Sequence, residues 1–376
     1  MINILADENM PYVQDLFGDF ANIVFKNGRE INPQDLIDID VLLIRSITQV
    51  NETLLTQANV LKFVGSATIG TDHIDKIALD NRKITWSSAP GCNAIAVAQY
   101  VLSALVNLGA GQQFNVQDKT IAIVGAGNIG KQLAKLCDVL SINYFFCDPF
   151  IEKTDAQGDY RSINEVVKAD IISLHVPITK EGEHPTYHLF DAARLTQLKP
   201  DAILINSCRG DVVDNEALVK HMNNTPEFTA VIDVWQNEPT INHQLLNLVN
   251  IATPHIAGYS LEGKARGTFM LYQKWCEINQ QSVDKSLTSL LPTATVNTIT
   301  LENSLTLNNI KQLVRLTYDI RDDDDLIRCF GKSGKGFDNL RKQYKVRREF
   351  SALTINAKNQ TDVALLADLG FNSFKI

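Results

Sequence analysis

The sequence lacks the excess of basic residues that a nucleic-acid-binding protein usually carries. Its 376 residues include 35 Lys and Arg against 43 Asp and Glu, which gives a net charge of −8 and argues against a nucleic-acid partner. No uninterrupted apolar run reaches the roughly 18 residues that a membrane span needs, and the first residues lack the basic start and apolar core of a signal peptide. We therefore expect a cytoplasmic protein that binds neither nucleic acid nor membrane.

Disulfide and metal-binding patterns are absent as well. The six cysteines are scattered without a CxxC pair, which is typical of small buried residues in a reducing compartment. The seven histidines form no HExxH motif, and Pro185 between His184 and His188 disfavours a helix that would bring those two together. No metal site is expected.

Short apolar runs alternate with helical patterns over most of the chain, which indicates parallel sheets with helical crossovers. Near-continuous apolar strands, such as residues 120–124 and 171–174, indicate sheets covered on both faces. The predicted fold is α/β, with two doubly wound parallel-sheet (Rossmann-type) domains and a small C-terminal α+β domain. The predicted domains are 1–110, completed by about 257–285, then 111–256, and a C-terminal module at 290–376 that serves oligomerisation.

Two local features complete this outline. Asn93 is placed to cap a long apolar helix over residues 94–108, which the segment Gly109, Ala110 and Gly111 would end. The acidic run at residues 322–325 is interpreted as a solvated loop, since a block of like charges is usually exposed.

A glycine-rich loop follows the apolar strand at residues 120–124. Gly125, Gly127 and Gly130 have the GxGxxG spacing and open a helical run, so that the backbone can approach a pyrophosphate at the helix N-terminus. Asp148 ends the next predicted strand, where a carboxylate binds the ribose hydroxyls of NAD and repels the 2′-phosphate of NADP. Loop, helix and acid together predict a NAD site; the alternative is a plain strand–turn–helix.

Three polar residues follow later predicted strands: Arg209, Glu238 and His255. A guanidinium can bind a substrate carboxylate through two hydrogen bonds, and an imidazole can take the proton of a hydroxyl group. A carboxylate beside the imidazole favours its charged form and fixes its tautomer. Because parallel strands end at one edge of a sheet, the three can meet there and catalyse hydride transfer from a hydroxy acid. The alternatives are a surface salt bridge for Arg209 and a structural role for His255.

Several segments resemble the D-isomer-specific 2-hydroxyacid dehydrogenase family, namely residues 124–130, 205–210, 233–235 and 253–258. Further segments resemble a branch of that family that acts on 4-phospho-D-erythronate, namely residues 7–11, 64–68, 70–73, 89–94, 255–267, 318–321, 337–338 and 347–349. Together these segments are distributed over nearly the whole chain, from residue 7 to residue 349.

The resemblance implies that a homodimer, formed through the C-terminal module, oxidises this small phosphorylated hydroxy acid with NAD in pyridoxal 5′-phosphate biosynthesis. It implies catalytic roles for Arg209, Glu238 and His255. It implies substrate contacts for Ser46, Thr68 and Tyr259, and NAD contacts for Gly125, Gly127, Asn128, Ile129, Gly130, Asp148, Val176, Ser207, Cys208, Asp233 and Gly258. Val176 stands where the family often has a hydroxyl residue, so only its backbone is expected to contact NAD.

A phosphorylated substrate also needs a cation. Arg45 is the first candidate, and Arg347 or Arg348 of the partner subunit is the second. The hydroxyls of Ser46 and Thr68 suit an anionic substrate, although loop capping is an equal alternative. Two other functions stay open: another enzyme of the family, such as a 3-phosphoglycerate dehydrogenase, or a NAD-sensing binding protein without catalytic activity.

Overall fold

The computed structural model describes residues 1–112, 114–155 and 157–376. The strands, in chain order, are β1 (Ile2–Asp7), β2 (Ala21–Lys26), β3 (Val41–Ile44), β4 (Phe63–Ser66), β5 (Thr85–Ser87), β6 (Thr120–Val124), β7 (Asn143–Cys147), β8 (Ile171–Leu174), β9 (Ile203–Asn206), β10 (Thr229–Ile232), β11 (Ile251–Ala252), β12 (Thr298–Thr300), β13 (Thr354–Ala357) and β14 (Asn372–Lys375). The α-helices are α1 (Val13–Phe17), α2 (Lys76–Asn81), α3 (Ala94–Gln112), α4 (Asn128–Val139), α5 (Ile163–Val166), α6 (Ala192–Leu195), α7 (Asn215–Asn224), α8 (His243–Leu248), α9 (Leu261–Ile278), α10 (Leu287–Leu290), α11 (Leu307–Thr317), α12 (Arg321–Phe330), α13 (Gly334–Lys342) and α14 (Gln360–Asp368).

Residues Met1–Asn93 and Tyr259–Thr293 form the first of two compact bodies. Its sheet is parallel throughout, in the order β2-β1-β3-β4-β5. The central strands β3 and β4 are buried along their whole length, as expected where both faces are covered. On one face α9 packs against the sheet through Leu271, Tyr272 and Trp275.

Residues Ala94–Gly258 and Ala294–Ile376 form the second body. Its large sheet is parallel, in the order β11-β10-β9-β8-β6-β7, and a small parallel sheet has the order β12-β13-β14. The chain enters the large sheet at β6 and places β7 on one side and β8 on the other. Ligands of such sheets bind beyond the carboxyl ends of the strands where the order reverses. The predicted α/β fold is confirmed.

Helix α3 differs from its predicted form. It continues through the buried Gly109 to Gln112, so the predicted end was wrong, and the Oδ1 atom of Asn93 accepts no hydrogen bond from any described residue that would cap it. The predicted limits place this helix in the first domain, whereas it packs within the second body against α4 and α11.

Helix α3 is also long and apolar enough to cross a membrane by length and composition alone, contrary to the expectation that no segment reaches this length. However, 83% of its most apolar stretch is buried inside the protein, which is the setting of a core helix.

The interpretation of residues 322–325 as a solvated loop was wrong, because these residues lie in α12. The side chain of Asp323 is 1% exposed and accepts hydrogen bonds from the hydroxyls of Tyr318 (2.9 Å) and Tyr344 (2.7 Å). Asp324 accepts a hydrogen bond of 2.7 Å from the backbone of Ala252 in β11. The acidic run therefore attaches the C-terminal segment to the large sheet.

Candidate active site

The three predicted catalytic residues lie on loops that follow neighbouring strands. Strands β9, β10 and β11 are adjacent and parallel, so their carboxyl ends share one edge of the sheet. Arg209 follows β9, Glu238 follows β10 and His255 follows β11. The edge predicted from the sequence is therefore where all three residues occur.

His255 and Glu238 are in direct contact. The Nδ1 atom of His255 lies 2.7 Å from Oε2 of Glu238, and Oε1 of Glu238 accepts a hydrogen bond of 2.8 Å from the backbone N–H of Trp235. Burial acts to raise the pKa of Glu238, but the hydrogen bond and charge of His255, the backbone N–H of Trp235 and the charge of Arg341 together outweigh it, so this pKa lies below its usual value. Because Glu238 is thus an ionised acceptor, Nδ1 carries the proton of the neutral imidazole. The second nitrogen, Nε2, then carries no proton and is able to accept one.

The backbone of His255 has a left-handed conformation, with φ of 57°. Such a conformation costs about 1–3 kcal/mol for a residue other than glycine and persists only where the surroundings impose it. Asp233 does so: its backbone oxygen accepts from His255 N (2.8 Å), and its carboxylate accepts from Ile256 N (2.7 Å) and Ala257 N (3.1 Å). Asp233 therefore shapes the loop that carries His255.

Arg209 is held by its backbone and leaves most of its guanidinium available. The side chain of Asn206 donates to the backbone oxygen of Arg209 (3.0 Å), and Nη1 of Arg209 donates to the backbone oxygen of Cys208 (2.7 Å). A side chain at Gly210 would collide with the backbone of Trp235, so glycine allows this loop to approach the loop of Glu238. Among the residues that the structure describes, no carboxylate forms an ion pair with Arg209, which removes the surface salt bridge as an explanation.

The glycine loop is shaped to accept a dinucleotide. Gly125 has φ of 100°, and a Cβ there would collide with the backbone of His175, while a Cβ at Gly130 would collide with the carbonyl oxygen of Gly125. A Cβ at Gly127 would meet nothing within 4 Å, and α4 begins after it without a side-chain cap. Open space in front of uncapped backbone amides suits a pyrophosphate.

The other predicted cofactor residues fall into two groups. Around the glycine loop, Asn128 and Ile129 begin α4, and Val176 approaches Gly125. Asp148 accepts a hydrogen bond of 2.9 Å from Ala126 N.

The second group follows β9 and β11. The hydroxyl of Ser207 is buried without a partner in the described part of the chain, as expected of a group that binds a ligand. Cys208 is a buried thiol whose pKa is raised to about 11 by burial, and Gly258 closes the loop of His255.

The predicted substrate residues belong to the first body. Thr68 donates to the carbonyl oxygen of Gly70 (3.0 Å) and lies 2.7 Å from the hydroxyl of Ser66, which in turn lies 2.9 Å from Nε2 of His73. This chain of hydrogen bonds fixes the loop after β4. Ser46 is exposed after β3, and Arg45 beside it is half-buried.

Lys264, which the sequence did not single out, is a second cation in the first body, beside Arg45. The Nζ atom of Lys264, at the start of α9, lies 5.0 Å from the ring centre of Tyr259. Burial, and then the charge of Arg45, lowers the pKa of Lys264, which places two cations near one another. Neither cation is paired with a carboxylate among the described residues. Lys264 lies within residues 255–267, one of the segments that carry the resemblance, but nothing in that segment indicates that Lys264 lies near Arg45, which is distant in the chain.

Comparisons with known proteins agree with this geometry. Residues 102–257 match the family model of the D-isomer specific 2-hydroxyacid dehydrogenase NAD-binding domain, and residues 290–370 match a domain of unknown function. An erythronate-4-phosphate dehydrogenase of Shewanella violacea is 48% identical, with 99% of each chain covered. That of Shewanella halifaxensis is 47% identical, with 100% of each chain covered.

The chain belongs to the erythronate-4-phosphate dehydrogenases, within the D-isomer specific 2-hydroxyacid dehydrogenase family. It is an NAD-dependent oxidoreductase. Among solved structures, the NAD-bound 3-phosphoglycerate dehydrogenase of Entamoeba histolytica has a TM-score of 0.63 at 21% identity, covering 76% of this chain and 97% of that one. The D-lactate dehydrogenase of Aquifex aeolicus has a TM-score of 0.57 at 22% identity, covering 74% and 95%. At these identities the likeness extends to the fold of the dehydrogenase family and no further.

Proposed function

We propose that this dehydrogenase oxidises 4-phospho-D-erythronate to (R)-3-hydroxy-2-oxo-4-phosphooxybutanoate with NAD, as a cytoplasmic enzyme of pyridoxal 5′-phosphate biosynthesis. The observation that carries the chemistry is the contact of 2.7 Å between His255 Nδ1 and Glu238 Oε2. The substrate is proposed from the relatives, whose names specify this acid and which are about half identical over their full length.

In this proposal each catalytic side chain has one task. Arg209 binds the substrate carboxylate through two of its N–H groups. The Nε2 atom of His255 accepts the proton of the C2 hydroxyl, and Glu238 stabilises the imidazolium that results through its contact with Nδ1. Bound NAD supplies the acceptor for the C2 hydride. The residues of the glycine loop, with Asp148, Val176, Ser207, Cys208, Asp233 and Gly258, would hold it.

The deciding experiment compares two acids. Purified protein is mixed with excess NAD, a reagent that traps the oxo acid, and either 4-phospho-D-erythronate or 3-phosphoglycerate, and NADH absorbance is followed. Turnover with the four-carbon acid alone is expected. Turnover with only 3-phosphoglycerate would keep the mechanism and overturn the substrate, and silence with both acids in protein that binds NAD would favour a binding role.

The phosphate of the substrate is assigned to Arg45, assisted by Lys264. These two neighbouring cations pair with no carboxylate in the part of the chain that the structure describes, and such a pair suits a dianion. Arg45→Ala is expected to raise KM for 4-phospho-D-erythronate by about 10-fold or more, and to change KM for unphosphorylated D-erythronate little. Steady-state kinetics with both acids measures this, and Arg29→Ala, at an exposed position of the same body, is the control. Equal effects on the two acids would remove Arg45 from this role.

The rate of oxidation is expected to rise with pH, because the proposed base, His255, must be neutral to accept a proton. Glu238 contributes no change near neutral pH, because its pKa is below the usual value and it stays ionised there. The measurement is kcat against pH, with a slowly oxidised substrate that makes the chemical step rate-limiting. A flat profile under those conditions would contradict the role of His255.

We also propose that the chain forms a homodimer through its C-terminal module. The outer strand β14 is largely exposed, and Phe374 and Ile376 at this end of the chain are each 60% exposed. A second copy that pairs with this edge would cover both side chains. Sedimentation equilibrium determines the mass in solution.

A further inference from the structure

The loop at residues 253–258, which carries His255, is held from two sides. Asp233 holds the inner side through three backbone N–H groups of residues 255–257. The other side is held by a residue far along the chain: Nη1 of Arg347 donates to the carbonyl oxygen of Ala257 (2.9 Å). Asp233 thus binds the N–H groups of this loop, and Arg347 binds one of its carbonyl groups.

Arg347 is itself fixed within the second body. It is 3% exposed, and its Nη2 donates to the carbonyl oxygen of Ala96 in α3 (2.6 Å). Its guanidinium lies 3.6 Å from the ring centre of Tyr318, a position in which the cation and the ring attract. In the described residues no carboxylate pairs with this buried cation. Burying a charge without a counter-charge costs free energy, which the two carbonyl contacts and the ring of Tyr318 offset in part.

A second series of contacts joins Tyr318 to Thr253, at the other end of the loop. The ring of Tyr318 stacks on that of Tyr100, whose hydroxyl lies 2.8 Å from the hydroxyl of Thr253. The hydroxyl of Thr253 donates its hydrogen to the carboxylate of Asp233 (2.7 Å). The hydroxyl of Tyr100 is therefore the donor in its hydrogen bond with Thr253. The C-terminal segment therefore touches the loop at Ala257 directly and at Thr253 through Tyr100.

We propose that Arg347 is a positioning residue for hydride transfer, which holds the loop at residues 253–258 so that His255 keeps its contact with Glu238. This gives the C-terminal module, whose residues 290–370 match the family model of a domain of unknown function, a task inside the active site of its own chain. It also corrects the second phosphate assignment for Arg347, because this buried side chain donates to Ala96 and Ala257 and is not free to reach the substrate of a partner subunit. For Arg348 that assignment stays a prediction. The proposal rests on the proposed role of His255.

Arg347→Lys tests it, because lysine keeps the charge but cannot bind both carbonyls in the geometry of the guanidinium. We expect kcat to fall by about 10- to 100-fold, as when a catalytic group is displaced by about 1 Å, with NAD affinity unchanged. The matched control is Arg315→Lys, which removes another arginine that joins the C-terminal segment to α3, at Asn107 and away from the loop. We expect that control to lower Tm without lowering kcat. Equal kcat values in the two variants would overturn the proposal.

A readout independent of turnover separates this proposal from the proposed substrate. The titration of His255 is followed by proton NMR and identified by its loss in His255→Asn. In Arg347→Lys it should shift in the direction that Glu238→Gln shifts it, even if the wild-type protein oxidises neither acid. An unchanged titration would overturn the proposal. If Arg347→Lys does not fold, Arg347→Gln takes its place, since an uncharged donor avoids a buried unpaired charge and must give the same kcat and titration changes.

Discussion

Replacing His255 by alanine is expected to lower kcat for hydroxy-acid oxidation by about 10²- to 10⁴-fold, because the proton of the C2 hydroxyl loses its acceptor. NAD affinity should change little, since the glycine loop and α4 do not depend on this side chain. Stopped-flow kinetics gives the rate, and the fluorescence of bound NADH gives the affinity. Loss of both rate and affinity would instead indicate a structural histidine.

Glu238→Gln, alone and combined with His255→Ala, tests whether the two residues act together. Glutamine keeps the size of the side chain but removes the charge that stabilises the imidazolium, so kcat should again fall. Because Glu238 acts through its contact of 2.7 Å with His255, the double variant should be little slower than His255→Ala alone. Effects that multiply in the double variant would show that Glu238 acts independently of His255.

The second large effect is expected at Arg209, where Arg209→Gln should lower kcat/KM by about 10²- to 10³-fold. The substrate carboxylate would lose a charged partner in a partly buried site, a loss of several kcal/mol. Arg209→Lys should cost about 10-fold, because lysine keeps the charge but not the paired N–H groups. Steady-state kinetics with 4-phospho-D-erythronate measures both variants.

A surface arginine supplies the comparison for Arg209. Arg161 forms an exposed ion pair with Asp159 (2.7 Å), so Arg161→Gln should leave kcat/KM unchanged. If Arg209→Lys were as active as the wild type, two-point binding of the carboxylate would be ruled out. If Arg209→Gln were also fully active, Arg209 would have no part in substrate binding.

The strands and the glycine loop could be predicted because their signals are local. Residues 120–124 form β6 with the predicted bounds, since a continuous apolar run followed by GxGxxG leaves few other structures. The edge that carries Arg209, Glu238 and His255 could be predicted as well, because strand ends of a parallel sheet share an edge whatever lies between them.

The features that the sequence did not reveal all depend on contacts between distant residues. Asp323 was taken for a solvated charge because its partners, Tyr318 and Tyr344, give no local sign that they meet it. Gly109 was expected to end α3, but buried packing carries the helix through it. Arg347 was considered for the substrate phosphate because a dianion needs a cation, whereas its hydrogen bonds lead to Ala96 and Ala257.

The hydrogen bonds of Arg347 also determine the order in which parts of the protein can fold during translation. They join residues 251 and 90 positions apart in the chain, and the more distant partner, Ala96, is made first. During translation the glycine loop, α4 and the strands of the large sheet can assemble early, because domains form as their residues emerge. The loop that bears His255 gains its outer support only when residue 347 has left the ribosome. A nascent chain can therefore form its dinucleotide-binding segment well before the loop of His255, the proposed base, is fully supported.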